Sequence, residues 1–313
     1  MHLLLIITMK KHDEVKYVKS EWKKRYLRTD MAQESYVDAE LENGVRGIKY
    51  REENIDGFQI CRLDITNDEG AKILNRQIGT YVTVTVGRIW LADDECFARA
   101  VSVLSEEIKG LIKKVCHGPH GVLVAGLGNR YIASDSIGPL TVKGLTVTRH
   151  LRELDPELFS KLSSLPLSAV TPGVVGQTGI ETAEIVRGAV SVAQPSLIIA
   201  VDALAARSVD RLAVTVQLSD SGISPGSGIG NRRSAIDKNA LGVPVISVGV
   251  PTVVDSSTLV CDMFEQAGIN DIPDQMRSVL DNGKSFFVTL KDADAASAEL
   301  ARLISSAIQT ACS

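Results

Sequence analysis

The chain has 313 residues, 44% of them apolar and 23% charged, with a net charge of −4. That length suits one large α/β domain or two smaller ones with ample core, which excludes a disordered chain. The charge balance argues against a general nucleic-acid binder, and no apolar stretch reaches the ~18 residues of a membrane span. Leu3–Ile7 is shorter than the ~7–15-residue core of a secretory signal and runs into lysines, with Met9 as an alternative start. Five scattered cysteines and no CxxC suggest neither a disulfide framework nor a zinc ribbon, so a reducing, cytoplasmic setting is expected. Aromatic residues make up 4%, so the core is expected to be aliphatic.

Charge divides the chain at residue 30. The first thirty residues carry eight Lys/Arg against four acids, +4, and leave −8 for the remainder. Phe58–Ile65 and Thr80–Val86 read as strands, with Asn67–Gly70 as a loop between them. Phe97, Val101, Leu104, Ile108 and Leu111 recur at helical spacing and predict a helix over Asp93–Lys114. All ten prolines lie at or beyond Pro119, where the pattern becomes strand–helix alternation. Strands are expected at Val122–Ala125, Leu167–Val170, Leu197–Val201, Thr215–Leu218 and Val243–Val250, with an edge strand at Ser285–Thr289. Helices are expected at Ile137–Leu154, Thr182–Val192 and Asp294–Ala311. This predicts an α/β fold, a mostly parallel sheet covered by helices on both faces, with extra N-terminal strands.

Ligands of such sheets sit beyond the carboxyl ends of the strands. Asp202 ends the run Leu197–Val201, where a carboxylate must be desolvated, paired or functional. Asp135 lies in the loop after Val122–Ala125 and reads either as functional or as a helix cap. Gly126, Gly128 and Asn129 form half of a dinucleotide fingerprint, but Tyr131 stands where its third glycine belongs, which disfavours nucleotide binding. The loop Ser219–Arg233, with Gly226 and Gly228, is long enough to be functional, and Arg232 and Arg233 are placed to hold a carboxylate. A second glycine-rich loop spans Thr171–Gly179. The histidines assemble no metal site, and neither HExxH nor GxSxG occurs.

Taken together these stretches resemble the germination protease family of spore-forming bacteria. The matching segments are GLGN (Gly126–Asn129), SDSIGP (Ser134–Pro139), TRHL (Thr148–Leu151), TPGVVGQTGIET (Thr171–Thr182), IAVDALAAR (Ile199–Arg207), QLSDSGISPGSGIGNRR (Gln217–Arg233) and LGVPVISVGVPTVVD (Leu241–Asp255). The similarity covers most of Arg28 to Asp255, and between about Leu259 and Ser285 this chain is shorter than most members. The resemblance implies a fold related to the hydrogenase maturation peptidases and an endopeptidase that degrades small acid-soluble spore proteins in the germinating spore. It implies a homotetrameric zymogen and assigns Asp135 and Asp202 as the catalytic acids. It also implies self-cleavage between Asp30 and Met31 in Arg28–Glu34, which makes 1–30 a basic propeptide and 31–313 a single peptidase domain. Within that domain, 31–118 holds the N-terminal strands and helix, 119–255 the catalytic core and 256–313 a shortened C-terminal part.

An acidic residue before the cut (P1) needs a cationic pocket, for which Arg232, Arg233 and Arg207 are candidates. Aspartic-type chemistry is favoured and no cofactor or metal ligand is predicted, while a divalent metal stays open because the maturation peptidases bind one. No direct nucleic-acid or membrane partner is expected. The alternatives are a metal-dependent maturation peptidase and a non-catalytic member that binds acidic peptides.

Overall fold

The apolar runs of the sequence become the middle of a single sheet. The computed structural model of the protein describes residues 25–39, 45–162, 165–226, 233–269, 273–282 and 286–313. Residues 1–24 of the basic segment, Gly228, Arg232 and Ser285 lie outside the described residues. From the N-terminus, helix α1 (Ala32–Asp38) is followed by strands β1 (Ile48–Ile55) and β2 (Phe58–Ile65), helix α2 (Asp68–Leu74), strand β3 (Gly79–Thr85) and the long helix α3 (Asp94–Val115). Next come β4 (Val122–Gly126), α4 (Ile137–Gly144), β5 (Leu167–Val170), α5 (Thr182–Ala193), β6 (Leu197–Ala206), β7 (Thr215–Ser219) and β8 (Val245–Asp255). The chain closes with α6 (Ser256–Gln266), α7 (Asp274–Asn282), β9 (Phe287–Val288) and α8 (Ala293–Cys312).

The described strands form one nine-stranded sheet in the order β1-β2-β3-β7-β8-β6-β4-β5, with β9 added to β8. Strands β5, β4, β6 and β8 pair in parallel. The other pairings, which add the expected N-terminal strands together with β7 and β9, are antiparallel. Side chains alternate across the sheet. Val122, Val124, Leu197, Ile199 and Val201 pack with α3 and α8, while Leu123, Ala125, Ile198 and Ala200 pack with α5 on the opposite face. Helices therefore cover both faces, as expected. Leu300 and Ile304 of α8 are fully buried, and truncating either to Ala is worth about 2–5 kcal/mol.

Four elements differ from expectation, each for a local reason. Asp68–Gly70 are not a loop but the first turn of α2, which Asn67 caps by accepting from Gly70 N at 2.9 Å. The helix from Ile137 stops at Gly144, because Thr148 and Arg149 must turn back to donate their N–H groups to Leu167 O at the start of β5. Strand β6 does not end at Val201 but continues through Asp202 to Ala206. Strand β8 likewise runs on to Asp255, with a register shift opposite Leu204/Ala205 that accommodates Pro251 and Thr252.

Residues 25–31 are tied down along the end of β6. Tyr26 is buried and donates to Asp281 of α7 at 2.6 Å, Arg25 pairs with the same carboxylate, and Arg28 N donates to Thr258 Oγ1 of α6. Met31 is fully buried with Leu204, Ala206, Leu212 and Val254. Helices α6 and α7 thus hold the end of the basic segment.

Candidate active site

Two glycines set the position of Asp135. A Cβ at Gly126 would stand 2.3 Å from Gly138 O, so β4 and α4 meet backbone to backbone. Gly128 has φ +105°, and a Cβ there would lie 2.2 Å from Asp135 O. The loop after β4 therefore folds back tightly, and Asn129 N donates to Asp135 Oδ2 at 2.9 Å. Asp135 is not a helix cap; the side chain at the start of α4 makes no capping bond. Thr252, at the irregularity in β8, donates to Ser134 O at 2.6 Å, and Ser297 of α8 donates to Ala133 O. These two hydroxyls pin the turn that carries Asp135.

Asp202 lies inside β6 yet beyond the end of its neighbour. Strand β4 stops at Gly126, which faces Val201, so Asp202 is the next residue past that edge. It is buried, and its Oδ1 accepts from Ala203 N at 2.9 Å. Burial pushes Asp135 up to about 6, against the pull of the Asn129 N–H. Asp202 is raised well above the ordinary carboxylate range, chiefly by burial, then by the charge of Asp135, with Asp30 adding a smaller push. Both acids thus bind their protons more tightly than an exposed carboxylate, and the charge of one raises the other.

Asp30 is held at the same strand end. Its N–H donates to Ala205 O at 2.8 Å, and its Oδ2 accepts from Ala205 N at 2.9 Å. Arg76 donates to Thr29 O at 2.6 Å, and Glu34 takes the N–H groups of Arg207 and Ser208. Beside this segment opens a cleft of about 900 Å³ lined by Asp30, Arg28, Arg76, Gln217, Arg233 and Gly249, among others.

The three arginine candidates part company. Arg233 lines the cleft and lies 3.6 Å from Glu181. Arg207 is bonded to Asp38, Asp262 and Glu265, so a substrate acid would have to displace a carboxylate already there; it reads as the tie between α1 and α6. Arg232 and Gly228 lie outside the described residues. Gly226 sits in a turn with φ +71°, and Asn129 Oδ1 accepts from Gln177 Nε2, joining the loop after β4 to the loop Thr171–Gly179. Sequence reasoning missed Arg76, Thr252 and Gln217. Of these, Gln217 alone carried a signal, as a polar residue inside the apolar run Thr215–Leu218.

Among the described residues no group of three or more His, Cys, Asp or Glu side chains is set to hold a metal ion. Two acids already bonded to main-chain N–H groups are a thin donor set for a metal that takes three or four ligands. Among the described residues, these two acids alone do not fit such a metal. All five cysteines are free, and among the described residues no helix is long and apolar enough to cross a membrane.

Two neighbouring carboxyl groups with raised pKa values, Asp202 buried and Asp135 half-buried, lie beside a seated segment of chain, an arrangement that a hydrolase of the peptidase class can use. The chain matches the germination protease family over residues 27–268. It is 39% identical over 272 residues to a germination protease of Clostridium acetobutylicum, covering 86% of this chain and 81% of that one. It is 43% identical over 241 residues to one of Caldanaerobacter subterraneus, covering 76% and 72%. A germination protease of Bacillus pumilus is 41% identical over 248 residues, 76% of this chain and 66% of that one. Among solved structures, a [NiFe] hydrogenase maturation protease HycI from Thermococcus kodakarensis aligns with a TM-score of 0.32 and 14% identity, over 64% of this chain and 98% of that one. The chain belongs to the germination protease family and is a protease.

Proposed function

We propose that the protein is made as a zymogen that cuts itself between Asp30 and Met31, and that it then cleaves small acid-soluble spore proteins after acidic residues in the germinating spore. The observation that carries this reading is the seating of Asp30 on Ala205, three residues past Asp202, with Asp30 close enough for its charge to act on Asp202. Water attacks the Asp30 carbonyl carbon while the Asp135 carboxylate takes its proton. The protonated Asp202 then gives a proton to the departing Met31 nitrogen, leaving a new carboxyl and a new amine. Arg233, and Arg232 with it, serve the acidic residue before the cut. The +4 segment covers a body of charge −8 until it is removed. The mature enzyme is a homotetramer, which light scattering before and after processing measures.

The test compares wild type, Asp135→Asn and Asp202→Asn on a purified small acid-soluble spore protein, with and without a chelator. Both variants should lose cleavage, and the chelator should leave the wild type unchanged. Full activity in either variant refutes the two-acid mechanism, and loss on chelation moves the chemistry to a metal.

A further inference from the structure

Gln217 sits on β7 directly opposite Gly249 of β8, and Gly249 is directly opposite Asp202 of β6. Partners across a sheet point to the same face, so Gln217 and Asp202 project side by side, two strands and about 10 Å apart. Gly249 between them carries no side chain, and a Cβ there would stand 2.3 Å from Leu204 Cδ1. Over this row lies the segment Thr29–Ala32. Gln217 Nε2 donates to Asp30 O at 3.1 Å, and Gln217 Oε1 accepts from Ala32 N at 2.6 Å. Gln217 is buried, and both ends of its amide are used on this one segment. Its amide orientation is fixed by the partners, since a carbonyl can only accept and an N–H can only donate.

Asp30 O is the carbonyl oxygen of the bond proposed above to be cut. We infer that Gln217 is the carbonyl-binding residue of the peptidase: its side-chain N–H holds the P1 carbonyl oxygen and stabilises the negative charge that oxygen gains when water adds. Its Oε1 holds the N–H two residues beyond P1, so the amide straddles the bond to be cut. Asp135 and Asp202 are acids that handle protons and leave the oxyanion without a donor of their own; Gln217 supplies it. Side-chain amides are known to fill this role, and removing one such donor costs about 10²–10³ in kcat. The inference rests on the reading that the chain cuts after Asp30.

The experiment follows self-processing of full-length protein by mass spectrometry, alongside thermal melting, in wild type, Gln217→Glu and Gln217→Met. Gln217→Glu keeps the acceptor for Ala32 N–H and loses the donor to Asp30 O. Gln217→Met keeps the size and loses both, and it guards against a fold upset by the new charge. Both should process about 10²–10³ times more slowly than wild type, with at least one of them melting close to it. Processing within about threefold of wild type in either variant overturns the role of Gln217 alone. Wild-type cleavage at a bond other than Asp30–Met31 overturns both this role and the reading beneath it.

Discussion

Asp135 carries opposite consequences for stability and for catalysis. Its folded pKa of about 6 lies above its ordinary value of 3.8, so the folded state binds the proton more tightly. The stability it contributes is complete below about pH 4 and is lost as pH rises to about 6; above that range the buried charge is a net cost. Asp135→Asn should therefore stabilise the protein by about 2 kcal/mol at pH 7, allowing for partial exposure, and by almost nothing at pH 3. The same variant should not cleave. Denaturant titration at the two pH values checks the first part, and equal stability changes at both would refute it. For catalysis the sign reverses: a base must be ionised, so cleavage should fall as pH drops through about 6. A rate that keeps rising below pH 5 would remove Asp135 from that role. Asp202 is raised as well, chiefly by burial and then by the charge of Asp135.

At the scale of elements, the site depends on where β6 and β8 pass the shorter β4. Thr252 exists as an anchor because the register shift between β6 and β8 frees it to reach Ser134 O. Thr252→Val should lower kcat roughly tenfold while costing about 1 kcal/mol of stability, read from kinetics and melting together. Arg207→Ala, by contrast, strands the buried acids Asp38 and Asp262. It should cost about 3–5 kcal/mol and leave the preference for an acid before the cut intact. Loss of that preference without loss of stability would return Arg207 to the substrate pocket.

The central strands were legible because Leu197–Val201 is an unbroken apolar run and Val243–Val250 is nearly one. Their ends were not, since Asp202 and Pro251 look like terminators until both are seen inside the sheet. Strand β1 escaped notice because Lys49–Ile55 is mostly exposed and charged, although Asp56-Gly57, both at positive φ, is a hairpin signal. Helix α1 escaped because its buried Gln33, Glu34 and Ser35 show no apolar periodicity; they are buried by bonds to Arg211, Arg207 and Arg76.

For the whole molecule, the single sheet joins the N-terminal strands to the parallel strands that carry Asp202, and residues 25–31 lie along the end of β6. Met31 is buried with β6 and β8 residues, so on the proposed reading the bond after Asp30 is presented by its own chain. Self-processing should then be first-order, with a rate constant unchanged across a hundredfold range of protein concentration; a rate that climbs with concentration would indicate cutting between molecules. The aspartate pair was legible from its strand positions, whereas the seating of Asp30 on Ala205 was not, because no local pattern links residues 175 apart. The most direct measurement is the intact mass of wild type and Asp202→Asn after identical incubation near pH 6. Wild type should lose residues 1–30 and begin at Met31, and Asp202→Asn should stay whole. Removal of the same thirty residues from Asp202→Asn would contradict a cut driven by the two acids.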